Sequence, residues 1–187
     1  MDIQLRLQDY WKSLSDCSRD DNAKAALIES PLLQAYKLDT IAKYVCKRLR
    51  GGMTLAGCDA YLEKNGKYYF IEFKNQDSAE VSAEDIRKKA YDSISTLRMA
   101  IDQKIQLDDL CENALFFVVF RDEQPPALLA AQKKTGELAE EEPILFGLRK
   151  IKGKLYKEIH TIPKADFCRD WIPKIWPELS PAELDSP

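Results

Sequence analysis

The sequence predicts a mixed α/β fold (α+β) in which a central mixed β-sheet is flanked by helices. Three observations favour it. Asn65-Gly66, the strongest short signal for a β-hairpin, separates two stretches that no longer show helical spacing. Apolar residues then recur at helical spacing from residue 82 to about 106. Residues 114–121 are apolar on both faces, which is typical of a strand in the middle of a sheet, and helices packed on that sheet are the natural solution.

Length and composition set the class of protein. The chain has 187 residues, of which 45% are hydrophobic and 32% charged, so it can bury a real core and is not a wholly disordered chain. We expect a single domain over residues 1–175 and a C-terminal tail over 176–187. No apolar run approaches the roughly 18 residues of a transmembrane helix, and the N-terminus lacks the pattern of a secretory signal. No membrane association is therefore predicted.

The cysteine and histidine content excludes several kinds of site. The five cysteines are an odd number, widely spaced and without a CxxC pair, so neither a disulfide framework nor a cysteine zinc site is indicated. The single histidine, His160, gives little support to a histidine zinc site or a Ser-His or Cys-His centre. Reduced thiols fit a cytoplasmic protein best.

The net charge of −3 counts against a protein that coats nucleic acid by bulk charge, because such binding depends on clustered lysine and arginine. Local basic clusters do occur. They comprise Lys43, Lys47, Arg48 and Arg50 in one segment and Arg87, Lys88, Lys89 and Arg98 in another. A solvated helix face is the more ordinary interpretation of either cluster.

The elements before the hairpin are predicted as helices. An apolar stripe predicts a first helix over residues 2–14, followed by a polar loop. Helical spacing resumes at about Pro31 and continues to Leu49, where Gly51-Gly52 would end the helix.

The elements after the hairpin begin with a long helix, capped by Ser82 and ending near Gln106. The buried strand 114–121 follows. A second, C-terminal β-hairpin is predicted around Lys152-Gly153, and then a short aromatic helix at 167–171.

The register of the first hairpin brings charged residues together. If Asn65-Gly66 form the two-residue loop, Lys64 pairs with Lys67 and Asp59 falls directly opposite Glu72. Opposed residues hold their Cβ atoms about 4.5–5.5 Å apart, and like charges there are destabilising. Lys74 lies two residues after Glu72 and so projects from the same face. The rest of this strand is apolar on both faces, which predicts a buried charge cluster that needs partners or a cation.

A hard divalent cation would satisfy this cluster. Mg²⁺ takes oxygen ligands, typically one or two carboxylates plus waters and substrate phosphate. We expect Asp59, Glu72 and the backbone carbonyl of Phe73 to be ligands, with Lys74 orienting or deprotonating the attacking water. The alternative is a frayed, wet sheet end at which Lys74 is a plain ion-pair partner, and a D…ExK pattern alone does not exclude it.

The segments Gly57-Cys58-Asp59-Ala60 and Ile71-Glu72-Phe73-Lys74 resemble the PD-(D/E)xK superfamily, the restriction-endonuclease-like nucleases. The resemblance covers residues 31–121, about half of the chain, and extends to small bacterial members. It implies a core of helix, three-stranded β-meander, helix and further strand. Cys58 replaces the proline of the motif, and the first meander strand is not obvious, since only 51–55 is left for it.

The resemblance also implies roles for residues. Asp59 and Glu72 would be metal ligands for Mg²⁺ or Mn²⁺ and Lys74 would be catalytic. Arg87, Lys88 and Lys89, together with Tyr91, would contact substrate phosphates, and Glu29 is the nearest match to an additional helical acid.

Three functions remain open from the sequence. The first is a Mg²⁺-dependent phosphodiesterase acting on DNA, with RNA less favoured. The second is a catalytically silent protein of the same fold that acts as an interaction or regulatory module. Its aromatic residues Phe167, Trp171 and Trp176 would pack on a partner or on a second copy in a homodimer. The simpler interpretation is that these aromatics cap the protein's own core. The third is an unrelated α+β domain in which the motif is a coincidence.

Overall fold

The computed structural model describes residues 7–20, 25–48, 54–101, 106–121 and 144–179. In this part of the chain six strands form one mixed sheet, and they follow one another across the sheet in chain order. The strands are β1 (Trp11–Ser13), β2 (Gln34–Lys37), β3 (Ala60–Lys64), β4 (Lys67–Lys74), β5 (Ala114–Phe120) and β6 (Glu158–Pro163). The pairs from β1 to β4 are antiparallel, whereas β5 runs parallel to both β4 and β6. The predicted mixed sheet is confirmed.

Helices cover both faces of this sheet. They are α1 (Leu14–Cys17), α2 (Leu38–Arg48), α3 (Ala83–Ala100), α4 (Leu107–Asn113), α5 (Lys164–Asp166) and α6 (Ile172–Ile175), with a π-helical turn at Phe167–Trp171 and 3-10 turns at Gln8–Tyr10, Ser78–Glu80 and Leu148–Ile151. None of the helices in the described ranges is both long and apolar enough to cross a membrane.

Successive residues of β4 and β5 point to opposite faces and build two separate cores. The first face packs against α2 and α3 and is called the α3 face; its sheet residues include Tyr61, Tyr68, Phe70, Phe116 and Val118. The second packs against α1 and the C-terminal helical segment and is called the C-terminal face; its sheet residues include Leu62, Tyr69, Ile71, Phe73, Leu115, Phe117 and Val119.

The β3–β4 hairpin has the predicted register. Lys64 pairs with Lys67, and the pairing continues to Ala60 opposite Ile71. Asn65 and Gly66 have φ values of 53° and 69°. Positive φ at both loop residues is the requirement of a type I′ turn, whose twist matches that of the flanking strands.

The N-terminal helix predictions are wrong in part. Residues 1–6 of the first predicted helix lie outside the described residues, and Trp11–Ser13 is a strand rather than helix. The second predicted helix begins only at Leu38, because Gln34–Lys37 forms β2. β2 pairs with β1 on one side and β3 on the other, and these backbone ladders outweigh the helical spacing of a short segment. Gly51-Gly52 lies outside the described residues.

The strand that pairs with β3 on the side away from β4 is β2, and it comes before α2. α2 therefore lies between β2 and β3, whereas the expected core places a helix ahead of all three meander strands. The first residue of α2 lies beside the residue before β3, since the Leu38 N–H donates to the carbonyl of Asp59 at 3.2 Å.

The long helix and the buried strand after the hairpin are confirmed. Ser82 caps α3 by accepting a hydrogen bond from the Asp85 N–H, and α3 ends at Ala100 rather than near Gln106. All seven residues of β5 are buried.

The C-terminal hairpin differs from the prediction. Phe146 and Gly147 adopt positive φ values of 58° and 71°, which interrupt the first predicted strand, and Leu148–Ile151 is a 3-10 turn. The second predicted strand pairs in parallel with β5 as β6. β6 pairs with β5, whose residues are all buried, because residues 144–151 form no strand.

The C-terminal aromatics belong to the core. Phe167 is fully buried and Trp176, which the sequence assigned to the tail, is 4% exposed and packs on the C-terminal face. The Trp176 indole N–H donates to the carbonyl of Gln34 at 3.4 Å. Residues 180–187 of the predicted tail lie outside the described residues.

Candidate metal centre

Backbone contacts hold Asp59 at the entry to β3. Gly57 packs so closely on the N-terminus of α2 that a Cβ there would lie 2.8 Å from the carbonyl oxygen of Leu38, so only glycine fits. The next residue, Cys58, donates its N–H to the Ser93 hydroxyl of α3 at 2.9 Å. Asp59 is thus anchored to both helices of the α3 face.

Asp59 and Glu72 come together as the register requires. The Phe73 N–H donates to Oδ2 of Asp59 at 2.7 Å, which places this carboxylate beside β4 just past the end of the paired region. Glu72 projects from the α3 face and is fully buried. Complete burial rules out a frayed, wet sheet end at Glu72.

Two lysines lie on the Glu72 carboxylate. Lys74 Nζ is 3.1 Å from Oε1 of Glu72 and 2.8 Å from Oδ2 of Asp85. Lys89 Nζ is 2.7 Å from the same Oε1 and 3.6 Å from Oδ1 of Asp59. The site therefore contains three carboxyl groups and two ammonium groups, and Lys89 contacts both predicted metal ligands.

The surroundings shift the pKa values of Asp59, Asp85, Lys74 and Lys89. Burial, followed by the neighbouring Glu72 carboxylate, raises the pKa of Asp59 to about 8. Burial opposes the charge on Lys74 and Lys89, but the adjacent carboxylates outweigh it, so both lysine pKa values are raised and both groups are ammonium. Burial opposes ionisation of Asp85 too, yet its contact with Lys74 lowers the pKa of that carboxyl.

One oxygen of this cluster has no partner. Oε2 of Glu72 is buried and makes no hydrogen bond in the described structure. A buried carboxylate oxygen without a donor is costly, and a cation would remove that cost. Among the described residues, this unpaired oxygen is the feature that best fits a bound cation.

The oxygen donors of this cluster fit a hard divalent cation, although they are few. Asp59 and Glu72 supply carboxylate oxygens, and the Phe73 carbonyl points to the same strand edge as its N–H, towards Asp59. Within the ranges described, no group of three or more histidine, cysteine, aspartate or glutamate side chains is placed to hold a metal. Water and substrate would have to supply the remaining ligands.

The other predicted site residues lie apart from this cluster. Arg87 and Lys88 are exposed on α3, and the Arg87 guanidinium donates to the carbonyl of Phe146 at 3.2 Å. Tyr91 is 53% exposed. Glu29 is exposed and lines a cavity of about 820 Å³ beside α5 and α6, and no described contact joins it to Asp59 or Glu72.

Asp85 and Ser93 are site residues that the sequence reasoning missed. Together with Lys89 they recur every four residues along α3. This spacing places three polar side chains on one face of the helix, beside the buried residues Ile86 and Ala90. The sequence signal that could have identified these residues is a row of polar residues at four-residue spacing beside the apolar stripe of the helix.

Comparison with protein-family models, curated proteins and solved structures gives no match to this chain. The assignment of a function therefore depends on the arrangement of side chains in this molecule.

Proposed function

We propose that the protein is a divalent-metal-dependent phosphodiesterase of the restriction-endonuclease-like type that hydrolyses DNA. The observation that carries this proposal is the fully buried Glu72, which has one oxygen without a partner and lies beside a second carboxylate, Asp59. A carboxylate pair of this kind, with a lysine two residues on, supports cation binding next to a reacting phosphate.

Each residue of the site would have a separate role in hydrolysis. Asp59, Glu72 and the Phe73 carbonyl would hold the cation, which when bound supplies Lewis acidity and makes water a stronger acid. The Phe73 N–H would keep the Asp59 carboxylate in place. Excluding solvent from Glu72 strengthens every charge interaction around it.

Lys74 would act as a charge stabiliser. Asp85 Oδ2 lies 2.8 Å from the Lys74 ammonium, and the raised pKa of Lys74 keeps this group protonated. A protonated lysine donates hydrogen bonds and stabilises negative charge that develops on the phosphate, which favours this role over proton abstraction from water.

The proposal is tested with purified protein, Mg²⁺ or Mn²⁺, and single- and double-stranded DNA, with RNA as a second substrate. Asp59→Asn should abolish cleavage, and Lys74→Ala should lower the rate by at least about 100-fold. Lys67→Ala is the matched control, because Lys67 is an exposed lysine at the far end of the same strand. A folded wild-type protein that neither cuts nucleic acid nor binds either cation would refute the proposal.

A catalytically silent module of the same fold is the second candidate. Lys74 and Lys89 already neutralise much of the carboxylate charge, and this observation favours a site that is stable without a metal. Burial of Phe167 and Trp176 in the protein's own core takes away the aromatic surface that suggested a partner. The cleavage assay and a metal titration, both on the wild-type protein, separate the two candidates.

A further inference from the structure

Lys89 occupies the space between the two predicted metal ligands. Its Nζ is 2.7 Å from Oε1 of Glu72 and 3.6 Å from Oδ1 of Asp59, so one ammonium is shared by both carboxyl groups. It comes from α3, a different element from either carboxylate. A cation that bridged the pair through these two oxygens would take the same position.

The two lysines of the site are not equivalent. Lys74 has an ion-pair partner outside the carboxylate pair, Asp85 at 2.8 Å. The described ion pairs of Lys89 are only those with Glu72 and Asp59. A divalent ion on the pair would therefore leave Lys74 in contact with Asp85. Lys89 would lose both of its described ion pairs, keep only the smaller attraction of Asp85, and be repelled by the metal.

The Lys89 side chain can also move from the carboxyl pair into solvent. The side chains of Lys89 and Asp59 are 18% and 20% exposed, whereas Glu72 is fully buried, so Lys89 reaches from the buried Glu72 carboxylate to the surface. The flexible four-carbon stem of lysine can carry the charge into solvent without movement of the helix.

We infer that Lys89 is a displaceable internal cation that occupies the Asp59–Glu72 pair in the absence of metal and leaves it when a divalent cation binds. This inference rests on the proposed function for the nature of the ligand. Lys89 would then compete with the metal instead of contacting substrate phosphate as the sequence predicted. The strength of this competition would set the metal concentration at which the site fills.

Calorimetric titration with Mn²⁺ tests this on the wild-type protein, Lys89→Met and Lys88→Met. Lys88 is exposed on the same helix, so its replacement makes the same change in net charge without touching the pair. Lys89→Met should bind Mn²⁺ at least about tenfold more tightly than the wild type, because the competing charge is gone. Lys88→Met should stay within about twofold, since exposed charges are screened.

The outcomes separate the two proposals. If the wild type binds Mn²⁺ and Lys89→Met binds it equally tightly or more weakly, the inference is overturned and the proposed function stands. Binding by Lys89→Met alone would support the inference and favour the silent module for the wild type. Binding by neither protein would overturn both.

A structure of the wild-type protein soaked in Mn²⁺ gives a second test that does not depend on the folding of a variant. Anomalous density between Asp59 and Glu72 should be accompanied by Lys89 Nζ beyond hydrogen-bond distance of Oε1. Density there with Lys89 still in place would overturn the inference.

Discussion

The two faces of the central sheet are built from the same strands but differ in character near the end of β4. On the C-terminal face Ile71 and Phe73 pack with Phe117 in a continuous apolar core. On the α3 face Glu72 is as deeply buried as Ile71, yet it is surrounded by two lysines and a second carboxylate. Alternation along a single strand has thus separated a packing surface from a charged site a few ångströms away.

This difference indicates what each face contributes. Apolar packing stabilises the fold roughly in proportion to the area removed from water, and it needs no precise partner. A buried charge cluster contributes little net stability, since desolvation offsets the attraction between its members. Groups that give little stability and leave an acceptor unpaired are typical of sites that bind something. Four changes would sharpen or break this distinction.

The largest effect is expected on the C-terminal face. Phe117→Ala removes a fully buried ring that packs against Tyr69, His160, Phe167 and Trp171. We expect the free energy of unfolding in urea to fall by about 3–5 kcal/mol, because a cavity is left. The Mn²⁺ affinity of the folded variant should match that of the wild type. A parallel loss of affinity would mean that the two faces are not independent.

On the α3 face the expected loss is smaller. Glu72→Gln keeps the shape but replaces charge-assisted hydrogen bonds to Lys74 and Lys89 by neutral ones. Urea unfolding at pH 6, where Asp59 still carries its proton, should show a loss of about 1.5–3 kcal/mol. Glu63→Gln, at an exposed position on β3, should change stability by less than about 0.5 kcal/mol. A stabilised Glu72→Gln protein would show that the desolvation of Glu72 outweighs its ion pairs.

Local chemistry explains which parts of this arrangement could be predicted. The type I′ turn at Asn65-Gly66 sets the register from two residues, and the register alone places Asp59 opposite Glu72. The all-apolar composition of β5 likewise indicates burial on both faces without knowledge of its neighbours.

The elements that could not be predicted depend on distant partners. β2 has only four residues and an apolar spacing that also suits a helix, so its strand character comes from β1 and β3 on either side. β6 joins β5 from more than thirty residues away rather than pairing with its nearest neighbours. A lysine on a helix usually indicates a solvated face, and only the tertiary structure turns Lys89 towards Glu72.

The carboxylate pair should also give stability a pH dependence. The pKa of Asp59 is raised in the folded protein, so the folded state holds this proton more tightly than the unfolded chain. The resulting stability is fully present below about pH 4 and is lost as the pH rises through about 8. Without metal, the free energy of unfolding of the wild type should fall relative to Asp59→Asn by up to about 1.4 kcal/mol per pH unit in this window. Asp108→Asn, at an exposed position of α4, should follow the wild type. Parallel curves for the wild type and Asp59→Asn would contradict the raised pKa.

The smallest effect concerns the helix that brings Lys89 to the charged face. The Ser82 hydroxyl accepts a hydrogen bond from the Asp85 N–H at 3.3 Å, and this cap holds the first turn of α3, which carries Asp85. Ser82→Ala should lower the free energy of unfolding by about 1 kcal/mol, because a helix N–H loses its acceptor. Ser95→Ala, within the same helix, should be neutral or slightly stabilising, since alanine is the better helix former. If Ser82→Ala also weakens Mn²⁺ binding in the folded protein, the cap positions Asp85 and hence Lys74. An unchanged affinity would mean that packing of Ile86 and Ala90 on the α3 face is sufficient to position the site.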